Sequence, residues 1–460
     1  MIAINHTDKY TTWLIRVAFV FLFWLAIRFY FERLYTDAGY YFFHTVNSGF
    51  FHVEHGRFVL VLAELLPAIG TWLHLPLKVL ALLYSINHVL FSALLVYIAI
   101  KKLNNLNAGL MITLIQFAGI RFSIVTPQFE LYYGLSLLIL LMAFIQFYQT
   151  TSKGPLFYSI ASLLTLLVFT SHPMAIYCFY CIMALMVPVK KDLKIWLMTF
   201  LLLAVYIIWK KTGISTYEKG KFDVFNNAFS IASIHKIFKP NTLLAGLKLL
   251  TLHYWDVVIM YFCGIFVLLK NKRYWYLAIY IVAIKCIAII IWLMFPPGSV
   301  DRYIEQVYFP FVFIALLWLP TIKLNYRLLA LVGIIIVIRA YGMFGTGLRY
   351  SGMTAQIREF ANKAQQQNGT KFYVPEGQMG KEYYEMGNWS YGFQTMYYSA
   401  IHCKKTVSIT KQEDMEYNNN QSELKADEFL FRPFDRLPIK TLNARYFVLD
   451  TGRYQLLKLP

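Results

Sequence analysis

The chain has 460 residues, 58% hydrophobic, 18% aromatic and only 15% charged, with a formal charge of +19. Ordinary globular chains are about 45–50% apolar and about 25% charged, so this one carries more apolar surface than a water-soluble fold can hide. Disorder, collagen-like repeats and a disulfide scaffold are excluded too, and the positive charge suits the cytoplasmic loops of a membrane protein rather than a nucleic-acid binder.

A bilayer-spanning helix needs about 20 mostly apolar residues. About eleven segments read as spans: 12–31, 75–100, 106–121, 131–149, 155–171, 173–188, 193–209, 249–269, 274–295, 306–320 and 328–344. The first is long and lacks a small-residue cleavage site, so it reads as a retained helix rather than a signal peptide. Between the first two, residues 32–74 do not form a simple hairpin. The aromatic, His-containing stretch Ala38–Phe51 and the short apolar stretch Arg57–Gly70, which holds Glu64 and Pro67, suit helices lying along the membrane surface. A second connection, about 210–248, is basic, and a third, 296–305, contains Asp301-Arg302-Tyr303. Cys178 and Cys181 lie inside an apolar run without basic neighbours, which makes them packing residues rather than a redox pair.

Loop charge sets the expected orientation. With the N-terminus cytoplasmic, Lys9, Lys101, Lys102, Lys153, Lys190, Lys191, Lys194, Lys270, Lys272, Arg273, Lys323 and Arg327 lie inside. Only Arg33, Arg57, Arg121 and Arg302 lie in short outer segments. An odd number of crossings puts the chain's C-terminal part outside, in a periplasm or its equivalent, and the spans in the inner membrane. Most acidic residues of the membrane part also fall on the outer side, among them Glu32, Asp37, Glu54, Glu64, Glu130, Glu218, Asp256 and Glu305. Acidic residues contribute little to insertion, so carboxylate chemistry is expected at the outer face.

Composition divides the chain into 1–344, strongly cationic and apolar, and 345–460, of ordinary soluble composition. The second part reads as a small α/β domain, with a helix over Thr354–Gln366 and short strands at Lys371–Val374, Thr406–Ile409 and Tyr446–Leu449. The fold class expected is therefore an all-α polytopic membrane protein with surface-lying helices in its first outer loop and a C-terminal α/β domain.

The stretch Tyr35-Thr36-Asp37-Ala38-Gly39-Tyr40-Tyr41, then Gly49 and His55-Gly56-Arg57-Phe58, follows the first span directly. Late in the chain Asp301-Arg302-Tyr303 precedes Pro310 and another apolar helix. This arrangement resembles the GT-C membrane glycosyltransferases, multi-pass enzymes that take a sugar from a polyprenyl-phosphate carrier at the outer face. The resemblance implies an inverting transfer with Asp37 as the base, and donor contacts from Arg57, Arg302, Tyr303, His55 and His172. The partners it implies are a polyprenyl-phosphate-linked sugar, an acceptor that is a glycolipid, a polysaccharide or a protein, and the bilayer, but no nucleic acid. It calls for no cofactor. Divalent-metal dependence stays open: where several members carry two adjacent acids this chain has Asp37-Ala38.

Chemistry gives these residue types a reason. A carboxylate can take the acceptor's proton, Arg can hold a departing phosphate through paired hydrogen bonds, and a Phe- and Leu-rich bundle can sheath a prenyl tail. Each residue also has a plainer reading. Asp37 can cap the following helix, Arg57 can reach up to headgroups, Arg302 can pair with Asp301 or Glu305, and His172 in Ser-His-Pro can simply end a helix. His52, Glu54 and His55 do not match the zinc pattern H-E-x-x-H. The rival functions are a lipid or polysaccharide transporter or flippase, a surface-polysaccharide polymerase or ligase, a membrane acyltransferase, and a structural scaffold. No internal repeat of the kind common in transporters is visible.

Overall fold

The computed structural model describes residues 6–150, 153–189, 192–213, 215–229, 235, 237–298, 302–378, 389–421 and 423–459. Helices dominate. In chain order they are α1 (His6–Arg28), α2 (Asp37–Ser48), α3 (Leu60–Ala63), α4 (Leu65–Trp72) and α5 (Leu77–Tyr97, prolonged by a π-helical turn to Lys102). Then come α6 (Leu106–Leu114), α7 (Glu130–Phe147), α8 (Pro155–Phe169), α9 (Pro173–Met186), α10 (Leu193–Thr212) and α11 (Thr216–Ala228). The last of the helical body are α12 (Pro240–Leu252), α13 (Trp255–Lys270), α14 (Tyr274–Met294), α15 (Arg302–Ala315) and α16 (Tyr326–Gln365).

Among the described residues seven helices are long and apolar enough to cross a membrane, or eight if the pair α12–α13, bent by 88°, counts as one. The protein is thus a helical, multi-pass membrane protein. Three of the segments expected as spans are short helices: α8 and α9 have 15 and 14 residues and α6 only nine. Each ends in a turn instead of prolonging its helix. On α10, Leu197, Leu201, Val205 and Ile208 are exposed, a row that lipid covers. Cys178 and Cys181 are free thiols on α9.

The helical body has two polar ends. At one, Tyr10 meets Tyr326 with ring centroids 6.0 Å apart, Asn107 donates to Leu319 O (3.2 Å) and Ile322 O (2.6 Å), Lys153 pairs with Asp192, and Arg273 donates to Thr321 O (2.9 Å). At the other, Ser351 donates to Glu32 (2.8 Å), Arg57 to Glu130 (2.5 Å) and Lys210 to the His55 carbonyl (2.6 Å). This second end carries the C-terminal unit.

The forty-residue α16 runs from the first end through the body and into that unit without a break, so the composition change at 344/345 falls inside one helix. A buried ion pair fixes it. Asp256, fully buried at the start of α13, accepts from Arg339 Nε (2.8 Å), from Arg339 Nη2 and from the Gly119 amide (2.9 Å). The sequence shows no partner for Arg339 within its own span; packing supplies one from another helix.

Beyond α16, β1 (Lys371–Val374) lies between parallel β2 (Ser408–Lys411) and β5 (Gln455–Leu456). Helices α17 (Tyr391–His402) and α18 (Gln412–Gln421) and an antiparallel hairpin, β3 (Glu428–Arg432) and β4 (Asp435–Pro438), complete the unit. The strand expected at Tyr446–Leu449 is not formed. The free edge of β1 is taken a few residues later by Gln455–Leu456.

Candidate functional site

The site is built where the segment between α1 and α5 meets α7, α10 and the C-terminal unit. Thr36 holds a left-handed backbone (φ 48°), rare for a β-branched residue, and turns the chain from Tyr35 into α2. Thr36 occupies the N-cap and makes no capping bond, while Asp37 begins the helix. Two residues on, the Gly39 carbonyl accepts from Tyr397 of α17 (2.7 Å), and a Cβ on Gly39 would fall 2.4 Å from the Phe393 ring. Only glycine lets the C-terminal unit sit this close to α2.

The loop after α2 turns again at His55 (φ 52°) and Gly56 (φ 64°). A Cβ on Gly56 would lie 2.2 Å from the Trp209 ring, so glycine here seats α10 against the loop. That contact brings Lys210 to the His55 carbonyl and aligns it with Glu218, at 2.7 and 3.0 Å. Ser215 joins in, with its Oγ 2.9 Å from His55 Nδ1.

Glu54 is the centre of the cluster. It accepts from Tyr40 Oη (2.5 Å) and Tyr41 Oη (3.3 Å), with His52 Nε2 at 3.3 Å and His55 Nε2 at 3.7 Å. Burial pushes its carboxyl up, but the hydrogen bonds of His52 and Tyr40 and the neighbouring imidazoles outweigh that and hold it at about 2. Glu54 is therefore a fixed anion and a poor proton acceptor. Glu64 is the opposite case. It is fully buried, accepts the His52 amide (2.6 Å), and burial raises its carboxyl to about 8. Two carboxyls on one loop thus take different charge states at neutral pH. Tyr41 reports the convergence of the rest: burial first, then the charges of Glu130, Glu54 and Asp37 raise its hydroxyl's pKa, and Arg57 lowers it.

The expected site residues divide as follows. His55 lies beside Glu54, Arg57 is bonded to Glu130 at the start of α7, and Asp37 and Arg57 are both close enough to Tyr41 for their charges to act on its hydroxyl. His172 stands close enough to feel the charges of Arg57 and Lys210, and its Nδ1 accepts the Met174 amide (3.2 Å) as the N-cap of α9. It begins a helix rather than ending one. Tyr303 is half-exposed and edge-on to Phe295 at 5.6 Å. Asp301 and the Arg302 side chain lie outside the described residues, as do 214, 230–234 and 236 in the basic second connection. Glu305 is buried. It accepts the amides of Arg121 (3.0 Å), Phe122 (2.7 Å) and Ser123 (2.8 Å) and the Ser123 hydroxyl (2.9 Å).

A groove of ≈ 1170 Å³ opens between α9, α10 and α14. Its walls are apolar, with Ile176, Tyr177, Leu203, Ile207, Ala278 and Val282 among them, and its polar mouth holds Lys210, Lys211 and Glu218. Lys210 therefore belongs to both the groove and the Glu54 cluster. Sequence reading missed Glu54, Glu130 and Lys210 as site residues. The skew of acids toward the loops expected outside signals the first two, whereas Lys210 stands out only as one of several basic residues at 210–248. Among the described residues no group of three or more His, Cys, Asp or Glu side chains is arranged to hold a metal ion. The chain matches no family model, and no curated protein matches it in sequence.

Proposed function

We propose that the protein is a membrane glycosyltransferase that moves a sugar from a polyprenyl-phosphate carrier to an acceptor hydroxyl at the outer face of the inner membrane. One observation carries this reading: an apolar groove whose polar mouth is joined, by the bond from Lys210 to the His55 carbonyl, to the loop that holds the Glu54 cluster. The prenyl tail lies in the groove, and its phosphate reaches Lys210 and Lys211, with Arg57 and Arg302 as further cations. The acceptor oxygen attacks the anomeric carbon while the bond to the phosphate oxygen breaks and its electron pair leaves with the phosphate. Asp37 takes the hydroxyl proton. Glu54, held ionised, orients Tyr40, Tyr41 and the two imidazoles. The product is a glycoside of inverted configuration and free polyprenyl phosphate.

Incubation of the purified protein with radiolabelled polyprenyl-phosphate sugars and envelope extract tests the reading. Label entering a glycolipid, polysaccharide or protein supports it; label that crosses the bilayer still attached to its carrier sinks it in favour of a flippase. The groove supplies a sharper test. Ala278→Trp fills the wall without touching the Glu54 cluster, so transfer from a long-chain donor is expected to fall at least about ten-fold, as for loss of roughly 1.4 kcal/mol of binding. A short-chain donor should be used as well as before. Equal rates for the long-chain donor in the variant and the wild type would remove the groove from the reaction.

The two polar ends of the body support the eleven-crossing topology. Contacts of 6–10, 105–107, 153–192, 273 and 319–326 gather at one end, and those of 32–57, 130, 210–218 and 351 at the other. With α6, α8, α9 and the bent pair α12–α13 each crossing once, the ends alternate through eleven passes. A reporter fused after Tyr350 is expected to behave as periplasmic and one after Lys272 as cytoplasmic; both on one side would end the outer-site reading.

A further inference from the structure

We infer that the β3–β4 hairpin tip forms the acceptor subsite and that it takes a hexopyranose ring, which makes the acceptor a saccharide; the word acceptor rests on the proposed function. The hairpin turns on Arg432-Pro433-Phe434-Asp435 and leans over α2, where Phe431 packs on Phe43 with ring centroids 4.2 Å apart. At its tip the Arg432 guanidinium carbon lies 4.2 Å from the Tyr40 ring centre, 4.9 Å from Phe434 and 5.9 Å from Trp389. Its Nε and Nη2 both donate to Asp435 Oδ2, at 3.1 and 2.8 Å. Phe434 is 62% exposed, an apolar ring left in water at the end of a hairpin that is otherwise packed.

These groups match a sugar. A pyranose has an apolar C–H face that stacks on an aromatic ring, as Phe434 and Trp389 offer, and hydroxyls that need a donor and an acceptor side by side. Arg432 Nη1 and Asp435 Oδ1 are the ends of the Arg–Asp fork turned away from their mutual bonds. Because Asp435 already offsets the guanidinium charge, the tip suits a hydroxyl-rich ring better than an anion. Its position fits too. Tyr40, whose ring carries Arg432, bonds Glu54 Oε1, while Glu54 Oε2 lies 3.7 Å from His55 Nε2 and the His55 carbonyl accepts from Lys210 at the mouth of the groove. Donor and acceptor would then meet at the cluster that Glu54 holds together.

The test uses the full chain in nanodiscs free of glycoside detergent. Saturation-transfer NMR is recorded with methyl gluco-, galacto- and mannopyranoside, and binding of a short polyprenyl phosphate is measured in parallel. The wild type is expected to transfer saturation to the ring protons of at least one hexopyranoside. Phe434→Ala, a surface change that leaves the fold alone, is expected to weaken that binding about two- to ten-fold. Arg432→Gln should do the same and leave polyprenyl-phosphate binding unchanged. Hexopyranoside binding that is absent from the wild type, or unaltered in Phe434→Ala, overturns the subsite while intact lipid-phosphate binding keeps the donor reading. Loss of both kinds of binding in the wild type overturns the two together.

Discussion

Asp37→Asn is expected to lower sugar transfer about 10²–10⁴-fold, the usual cost of removing a general base, while expression and thermal stability stay near wild type. The amide keeps the side chain's size but cannot take the acceptor's proton. Thr36 rather than Asp37 stands at the N-cap, so helix capping is not what the amide would alter, and losing a negative charge at the helix start costs about 0.3–1 kcal/mol. A purely structural Asp37 predicts a lower melting temperature and an unchanged rate. Transfer at the wild-type rate with the cognate donor and acceptor would move the base elsewhere. Glu54 would be a poor substitute, since its hydrogen bonds hold it at about 2.

The second large effect concerns stability. Asp256→Ala leaves the Arg339 guanidinium buried without its carboxylate, and breaking such a pair from one side costs about 3–5 kcal/mol. The change also releases the Gly119 amide. A steep fall in melting temperature of the purified protein is expected. The double change Asp256→Leu with Arg339→Met should recover most of it, because a buried pair replaced by apolar groups of similar size is often neutral or stabilising. A single variant as stable as the wild type would mean that the pair is not what holds α16 to α13.

Much of this architecture was legible in the residues. Long apolar runs and a low charge content force a membrane protein, whatever the packing, because no water-soluble arrangement covers that surface. The helical nature of every apolar segment follows as well, since a lone strand in lipid would leave its backbone groups unpaired. The gathering of acids in the loops expected outside, together with the aromatic stretch after α1, pointed to the end of the molecule where the cluster lies.

What the sequence does not contain is partnership. Apolar period and length report how one segment meets its surroundings, not which segment it meets. The bend between α12 and α13 falls at His253-Tyr254, with no Pro or Gly to announce it. It sits beside Asp256 and Arg339, whose pairing depends on α16 arriving from far along the chain. Lys210 reads as the polar end of a span until Gly56 admits Trp209 and turns it onto the loop. Arg432 reads as a soluble-domain surface charge until the hairpin lays it on Tyr40. Residue types and hydrophobic period determined the membrane class, the helices and the chemistry on offer at the end that carries the C-terminal unit. Only tertiary packing decided which charges meet there, because a charge's energy depends on its neighbours in space and on how much water they displace.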